Sequence, residues 1–200
     1  MELAGGRARL EALAREHADD LLEVGSEAEI WLYMPAPTPR SKAEMLAIID
    51  AALSARDKGD AFPWAVIDRK TGKAIGSTRY LGIDPVNMSV EIGWTWYGAS
   101  ARRTSINTEC KYLLIRHAME TMWKGGANRV QLQTNARNAR SRAAILRIGA
   151  QFEGILRRNR VMHDGTVRDT AYFSVVREEW PLVRERLEFM LRTGGIGPSR

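Results

Sequence analysis

The sequence predicts a single α/β (α+β) domain: a mixed, mostly antiparallel sheet with helices packed on its faces. Three observations carry that prediction. Short runs such as "ARLEAL" and "RVQLQT" alternate with the period of two expected of half-buried strands. Two pairs of strand-like runs are joined by glycine-containing turns, as hairpins require. Single helical stretches fall between these runs without a strict strand–helix alternation, which favours an antiparallel-rich sheet over a doubly wound parallel one. Two hundred residues suit one domain on a prior of about 100 to 200 residues each. Residues 1–200 are therefore read as one unit, with loose ends at 1–6 ("MELAGG") and 193–200.

In chain order, "ARLEAL" is a first strand and "EHADDLLEV" a short helix. Pro35, Pro37 and Pro39 make "WLYMPAPTPR" a loop. Ser41 then offers an N-cap, with Glu44 completing a capping box, for a helix ending at Gly59. "AFPWAVIDRKTGKAIGSTRYLGI" is a hairpin turning near Thr71 and Gly72, and "SVEIGWTWYG" is a further strand. Next comes a helix carrying Cys110, Leu113, Leu114 and Ala118 on one face, then the strand "RVQLQT". "NARNARSRAAILRIG" is a helix closing at Gly149. "QFEGILRRNRVM" and "TVRDTAYFSVV" form a hairpin around His163, Asp164 and Gly165. A final helix tolerates Pro181 in its first turn.

Composition narrows the functional classes. No stretch approaches the roughly 18 apolar residues of a membrane span, and the N-terminus lacks a signal-peptide core, so a cytoplasmic protein without a membrane partner is expected. The lone Cys110 excludes an intramolecular disulfide, and His17, His117 and His163 are too scattered for a zinc site. The net charge of +6, with 24 Arg against 6 Lys, favours an anionic ligand, nucleic acid or a ribosomal surface.

The stretch "ARRTSINTE", residues 101–109, lies between a strand and a helix. A helix N-terminus exposes N–H groups without intrahelical acceptors and carries partial positive charge, so Arg102, Arg103, Thr104, Ser105, Asn107 and Thr108 there suit a phosphate. The same residues also accommodate a plain N-cap at Ser105 or Asn107 beside solvated arginines. The arrangement repeats at "TNARNARS". If "EIGWTWY" and "RVQLQT" are parallel neighbours, both helices start at one sheet edge, where open α/β sheets bind ligands.

With "EIGW", residues 102–107, "NARS" and "IGAQFEGILRR" in that order, nearly the whole chain resembles the GCN5-related N-acetyltransferase (GNAT) superfamily. Within it the chain is most similar to the RimJ/RimL-type branch, which acetylates ribosomal-protein N-termini. The family's pyrophosphate signature is Arg or Gln, two residues, Gly, one residue, then Gly or Ala. Here Arg102, Ser105 and Asn107 hold those positions, so both glycines are replaced by polar residues. The resemblance implies a GNAT fold of six to seven strands with a splayed parallel central pair. It implies acetyl-CoA as cofactor, with pantetheine on backbone around Trp94, Thr95 and Trp96, pyrophosphate on residues 102–108 (Ile106 included), and Asn138 on the opposite side.

By the same resemblance Glu91 is the candidate base, acting through water; the competing reading is a strand carboxylate paired with an arginine such as Arg79. Many relatives carry a tyrosine acid four residues beyond the position of Ser141. Here that residue is Ile145, which leaves Ser141 as the candidate proton donor or, on the plainer reading, as a helix serine bonded to a carbonyl. Trp31, Tyr33 and Met34 are candidate acceptor-pocket residues or core plugs. The acceptor implied is a primary amine, a ribosomal or other protein N-terminus first. A small amine such as a polyamine or antibiotic is the alternative, and a non-catalytic ribosome- or nucleic-acid-binding module a third reading. Seven arginines between Arg137 and Arg160 motivate that module, but no aromatics interleave with them as a stacking platform requires, which weighs against nucleic acid. Oligomeric state is open, a homodimer included.

Overall fold

The computed structural model describes residues 1–194. Eight strands form one sheet in the order β1-β2-β3-β4-β5-β6-β8-β7. They are β1 (Glu2–Ala4), β2 (Ala8–Ala12), β3 (Ala61–Asp68), β4 (Ala74–Asp84), β5 (Ser89–Tyr97), β6 (Arg129–Asn135), β7 (Gln151–Val161) and β8 (Val167–Val176). All pairings are antiparallel except β5 with β6. That pair is joined through a helix, as a parallel crossover requires.

Strand periodicity sorts the core onto two faces. On one, Val90, Ile92, Val130, Leu132 and Phe173 pack with Cys110, Leu114 and Ala118 of α4 (Ile106–Glu120) and Leu187 of α6 (Trp180–Arg192). On the other, Ala65, Ile67 and Trp96 meet α1 (Ala18–Gly25), α2 (Ala28–Trp31) and α3 (Lys42–Asp57) through Leu21, Trp31 and Met45. Each large side chain buried this way contributes about 1.5–3 kcal/mol. The four residues expected on one face of α4 are all buried. No helix among the described residues is long and apolar enough to cross a membrane.

Three local expectations are corrected. Residues 1–6 are not loose: β1 pairs with β2, and the Glu109 carboxylate on α4 accepts N–H bonds from Gly6 (2.6 Å), Arg7 (2.9 Å) and Ala8 (2.7 Å). A Cβ on Gly5 would lie 2.5 Å from Glu109 Cδ, so glycine permits that approach. The restraint comes from a side chain about a hundred positions away, which local periodicity does not register. β1 also brings the strand number to eight instead of six to seven. At α3, Ser41 Oγ accepts from Glu44 N as expected, but Glu44 takes the Arg40 N–H (2.6 Å) instead of closing the box on Ser41. Of the loose C-terminus, Thr193 and Gly194 follow α6 and positions 195–200 lie outside the described residues.

Candidate active site

β5 and β6 pair only at Ser89 with Arg129, Val90 with Val130 and Glu91 with Gln131, and then diverge. The divergence has a local cause. Trp96 faces Ser77 on β4 but Gly93 faces Arg79, so β5 carries one extra residue between them, with Trp94 at φ 49°. Such a bulge bends its strand and is enriched beside active sites. Left-handed backbone at a tryptophan costs about 1–2 kcal/mol, and the surroundings offset it. The Arg79 guanidinium lies 4.1 Å from the centre of the Trp94 ring, and Thr95 Oγ1 is hydrogen-bonded to Thr78 Oγ1 (2.8 Å) and to Lys111 Nζ (2.7 Å). At Gly93 a Cβ would sit 2.7 Å from Glu91 Oε1, so the glycine leaves that carboxylate its place.

The divergence opens a cleft of about 1060 Å³. Its walls carry eight cationic side chains, Arg102, Arg103, Lys111, Arg137, Arg140, Arg147, Arg160 and Arg168, against two carboxylates, Glu29 and Glu91. A wall so unbalanced favours an anionic ligand.

At the α4 end, the segment expected to hold phosphate divides in two. Arg102, Arg103, Thr104 and Asn107 line the cleft, whereas the Ser105, Ile106 and Thr108 side chains are buried below it. Neither Ser105 nor Asn107 is the side-chain cap: Thr104 Oγ1 accepts the Ile106 N–H and donates to Ala101 O. Arg102 is held by Glu27 (3.0 Å), Glu29 (3.1 Å) and Tyr97 O (3.3 Å). Arg103, at φ 60°, is exposed.

Opposite this turn, α5 (Ala139–Arg147) starts at Asn138, whose Oδ1 accepts the Ser141 N–H at 2.9 Å. Ser141 and Ile145 both reach the cleft. Among the described residues the Ser141 hydroxyl has no hydrogen-bond partner, so the carbonyl-bonded alternative is not what the structure contains. Ile145 is buried and supplies only apolar wall.

Glu91 lines the cleft and is partly buried. Its Oε2 accepts from Gln133 Nε2 (2.6 Å) and, at longer range, Gln131 Nε2 (3.4 Å). Arg79 is not its partner, since that guanidinium is stacked on Trp94. Sequence reasoning missed Lys111, which is 6 % exposed and whose ammonium burial pushes down to about 8. The signal for it was available: Lys111 stands four residues after Asn107, hence one turn further along the same helix face. Burial raises the neighbouring Cys110 thiol to about 12, which removes it as a nucleophile near neutrality.

Of the residues expected at the acceptor pocket, Tyr33 and Met34 line the cleft together with exposed Leu32, which sequence reasoning passed over. Trp31 does not. It is 2 % exposed, its ring centre lies 5.4 Å from that of Trp96 at a tilt of 47°, and it donates its indole N–H to Gly25 O. Of the proposed pantetheine-binding stretch, Trp94, Thr95 and Trp96 all border the cleft, with the Trp96 ring turned into the core.

The family model described as an acetyltransferase (GNAT) domain matches residues 7–151. No curated protein matches the chain. A GCN5-related N-acetyltransferase from Brucella melitensis is 31 % identical with a TM-score of 0.88, over 96 % of this chain and 85 % of that one. A protein from T. thermophilus, provisionally assigned as an acetyltransferase, is 33 % identical with a TM-score of 0.86, over 95 % and 96 %. More distant, at 18 % identity and a TM-score of 0.74 over 88 % and 99 %, is a Salmonella typhimurium acetyltransferase that modifies the N-terminal serine of 50S ribosomal subunit protein L7/L12. With a parallel pair that parts at a bulge and a domain match across most of its length, the chain belongs to the GNAT family of N-acetyltransferases.

Proposed function

We propose that this N-acetyltransferase uses acetyl-CoA to acetylate the α-amine of a peptide or protein N-terminus. The observation that carries the reading is the cleft itself. A cation-rich rim at two helix N-termini fits a pyrophosphate, and a carboxylate held by two glutamines stands where β5 and β6 part. Acetyl-CoA supplies the activated acetyl thioester. Arg103, Thr104, Asn107 and the first-turn amides of α4 receive the phosphates, Arg102 and Asn138 frame that subsite, and backbone at Trp94 to Trp96 aligns the pantetheine arm. Glu91, through a water, takes the proton the amine loses, and the unpartnered Ser141 hydroxyl returns one to the leaving sulfur.

An α-amine titrates near 8 and a lysine near 10.4, so one carboxylate and no tyrosine at position 145 suit the less basic acceptor. The eight-to-two excess of cations disfavours polyamines and aminoglycosides, which would bring more positive charge. A ribosomal-protein terminus is the acceptor the Salmonella typhimurium neighbour suggests. The test pairs a lysine-free peptide having a free N-terminus with an N-blocked peptide containing lysine, and locates the acetyl group by mass spectrometry. Acetylation of the free terminus is expected. Preferential modification of the blocked peptide would overturn the α-amine assignment.

A further inference from the structure

Two of the cleft arginines to which the scheme above gives no role stand on the last hairpin. Arg160 on β7 and Arg168 on β8 are direct cross-strand partners. Side chains directly opposite in an antiparallel pair have Cβ atoms about 4.5–5.5 Å apart, and like charges there are destabilising. A bulge creates the juxtaposition: the register shifts by two between Leu156 and Arg160, Arg158 lies at φ 50°, and the Asp169 carboxylate accepts the Arg158 N–H at 2.7 Å. Asp169, the acid beside Arg168 in sequence, is thereby engaged at the bulge. Among the described residues neither Arg160 nor Arg168 makes an ion pair, and Arg168 keeps only a 3.2 Å bond from Nε to Thr170 Oγ1. Arg168 is 7 % exposed, and burial followed by the Arg160 charge lowers its pKa, an effect the Glu91 charge offsets only in part. A buried guanidinium facing a second one is a costly arrangement without an anion to share.

Strand alternation places the pair relative to the chemistry. Ala171 and Phe173 of β8 face the core under α4 and α6, so Arg168 and Thr170 project to the other face. Glu91, Gln131 and Gln133 project to that same face, since Gln133 pairs with Tyr172 and Gln131 with Ser174. The two arginines therefore stand with the proposed base, away from the phosphate-binding turn of α4, and both line the cleft. Arg168 is four positions along β8 from Tyr172, roughly 13 Å at 3.2–3.4 Å per residue before the guanidinium arms shorten the gap. An extended peptide covers that distance within its first few residues.

We propose that Arg160 and Arg168 form an acceptor-side carboxylate clamp, so that the preferred acceptor is a peptide N-terminus bearing an acidic side chain within its first three residues. The proposal rests on the α-amine reading given above. Guanidinium groups suit the task because their planar donors grip a carboxylate bidentately. A free amino acid offers the same chemistry in its α-carboxylate, but at a separation too short for the span described.

The experiment measures kcat/KM for CoA release with lysine-free peptides identical except for Glu, Gln or Lys at positions two and three, and with free glutamate. The Glu peptide is expected to exceed the Gln peptide at least tenfold, chiefly through KM, and free glutamate to react poorly. Arg160→Gln, at an exposed position that tolerates change, should reduce the preference several-fold, and Arg160→Glu should invert it toward the Lys peptide. Equal rates for Glu and Gln peptides, or a preference untouched by either Arg160 variant, would overturn the clamp while leaving the α-amine reading intact. Free glutamate as the best acceptor would overturn the peptide assignment. A large loss of acetyl-CoA affinity in Arg160→Gln would overturn it too, by assigning the arginine to the cofactor. Failure to acetylate any of these amines by protein that binds acetyl-CoA would remove the underlying reading and the clamp with it.

Discussion

Lys111 Nζ donates to Thr95 Oγ1 at 2.7 Å, so a buried ammonium on α4 pins the bulge that parts β5 from β6. Its pKa falls from 10.5 to about 8 because burial disfavours the charged form. Between those values the unfolded chain holds a proton that the folded chain lacks, so stability rises with pH by up to about 1.4 kcal/mol per unit. Below pH 8 the full penalty remains. Lys111→Met is expected to be at least as stable as wild type at pH 7, to show a flatter stability profile from pH 8 to 9.5, and to turn over more slowly as the bulge loses its anchor. Urea midpoints across pH check this, and parallel profiles for the two proteins would refute it.

Arg102→Ala with Arg103→Ala is expected to weaken CoA binding about ten- to a hundredfold, the worth of one charge-assisted contact at about 1.5–3 kcal/mol, since the backbone donors stay in place. The Arg102 contacts to Glu27 and Glu29 mean that part of the loss reflects a looser rim. Calorimetric titration of the folded double variant decides the matter; an unchanged dissociation constant would remove both arginines from the phosphate subsite.

Glu91→Gln preserves shape and removes the proton acceptor. Turnover should fall by about 10²–10⁴ with little change in acetyl-CoA affinity, and recover in part at high pH, where more of the acceptor amine is already neutral. Wild-type turnover from pH 6 to 9 would make Glu91 a structural partner of Gln133.

Glu109→Ala leaves the Gly6, Arg7 and Ala8 N–H groups without their acceptor. With a lost partner costing about 1–3 kcal/mol where burial is complete and less where it is partial, a total near 3 kcal/mol is expected. Urea denaturation measures it, and hydrogen exchange should rise first in β1 and β2. Protection unchanged in those strands would show that strand pairing alone, β1 on β2 and β2 on β3, holds them.

Much of this protein is dictated locally. Period-two runs locate β2 and β6, glycine-containing turns locate the β3–β4 and β7–β8 hairpins, Gly59, Gly72 and Gly165 each close an element at positive φ, and Ser41 caps α3, because backbone geometry acts over a few residues. Polar residues at 102–108 and 138–141 likewise mark two helix starts from sequence alone. Other features exist only after folding. Whether a side chain in the 102–108 turn meets the cleft or the core depends on how α4 rolls against the sheet, which divides Asn107 from Thr108. The ordering of β1 depends on Glu109, and the burial of Trp31 on Trp96. A one-residue bulge in β5 decides where the cleft opens, and a two-residue bulge in β7 decides that Arg160 faces Arg168. Register between strands is set by contacts distant in sequence, and charge repulsion across a ladder becomes visible only once that register is known.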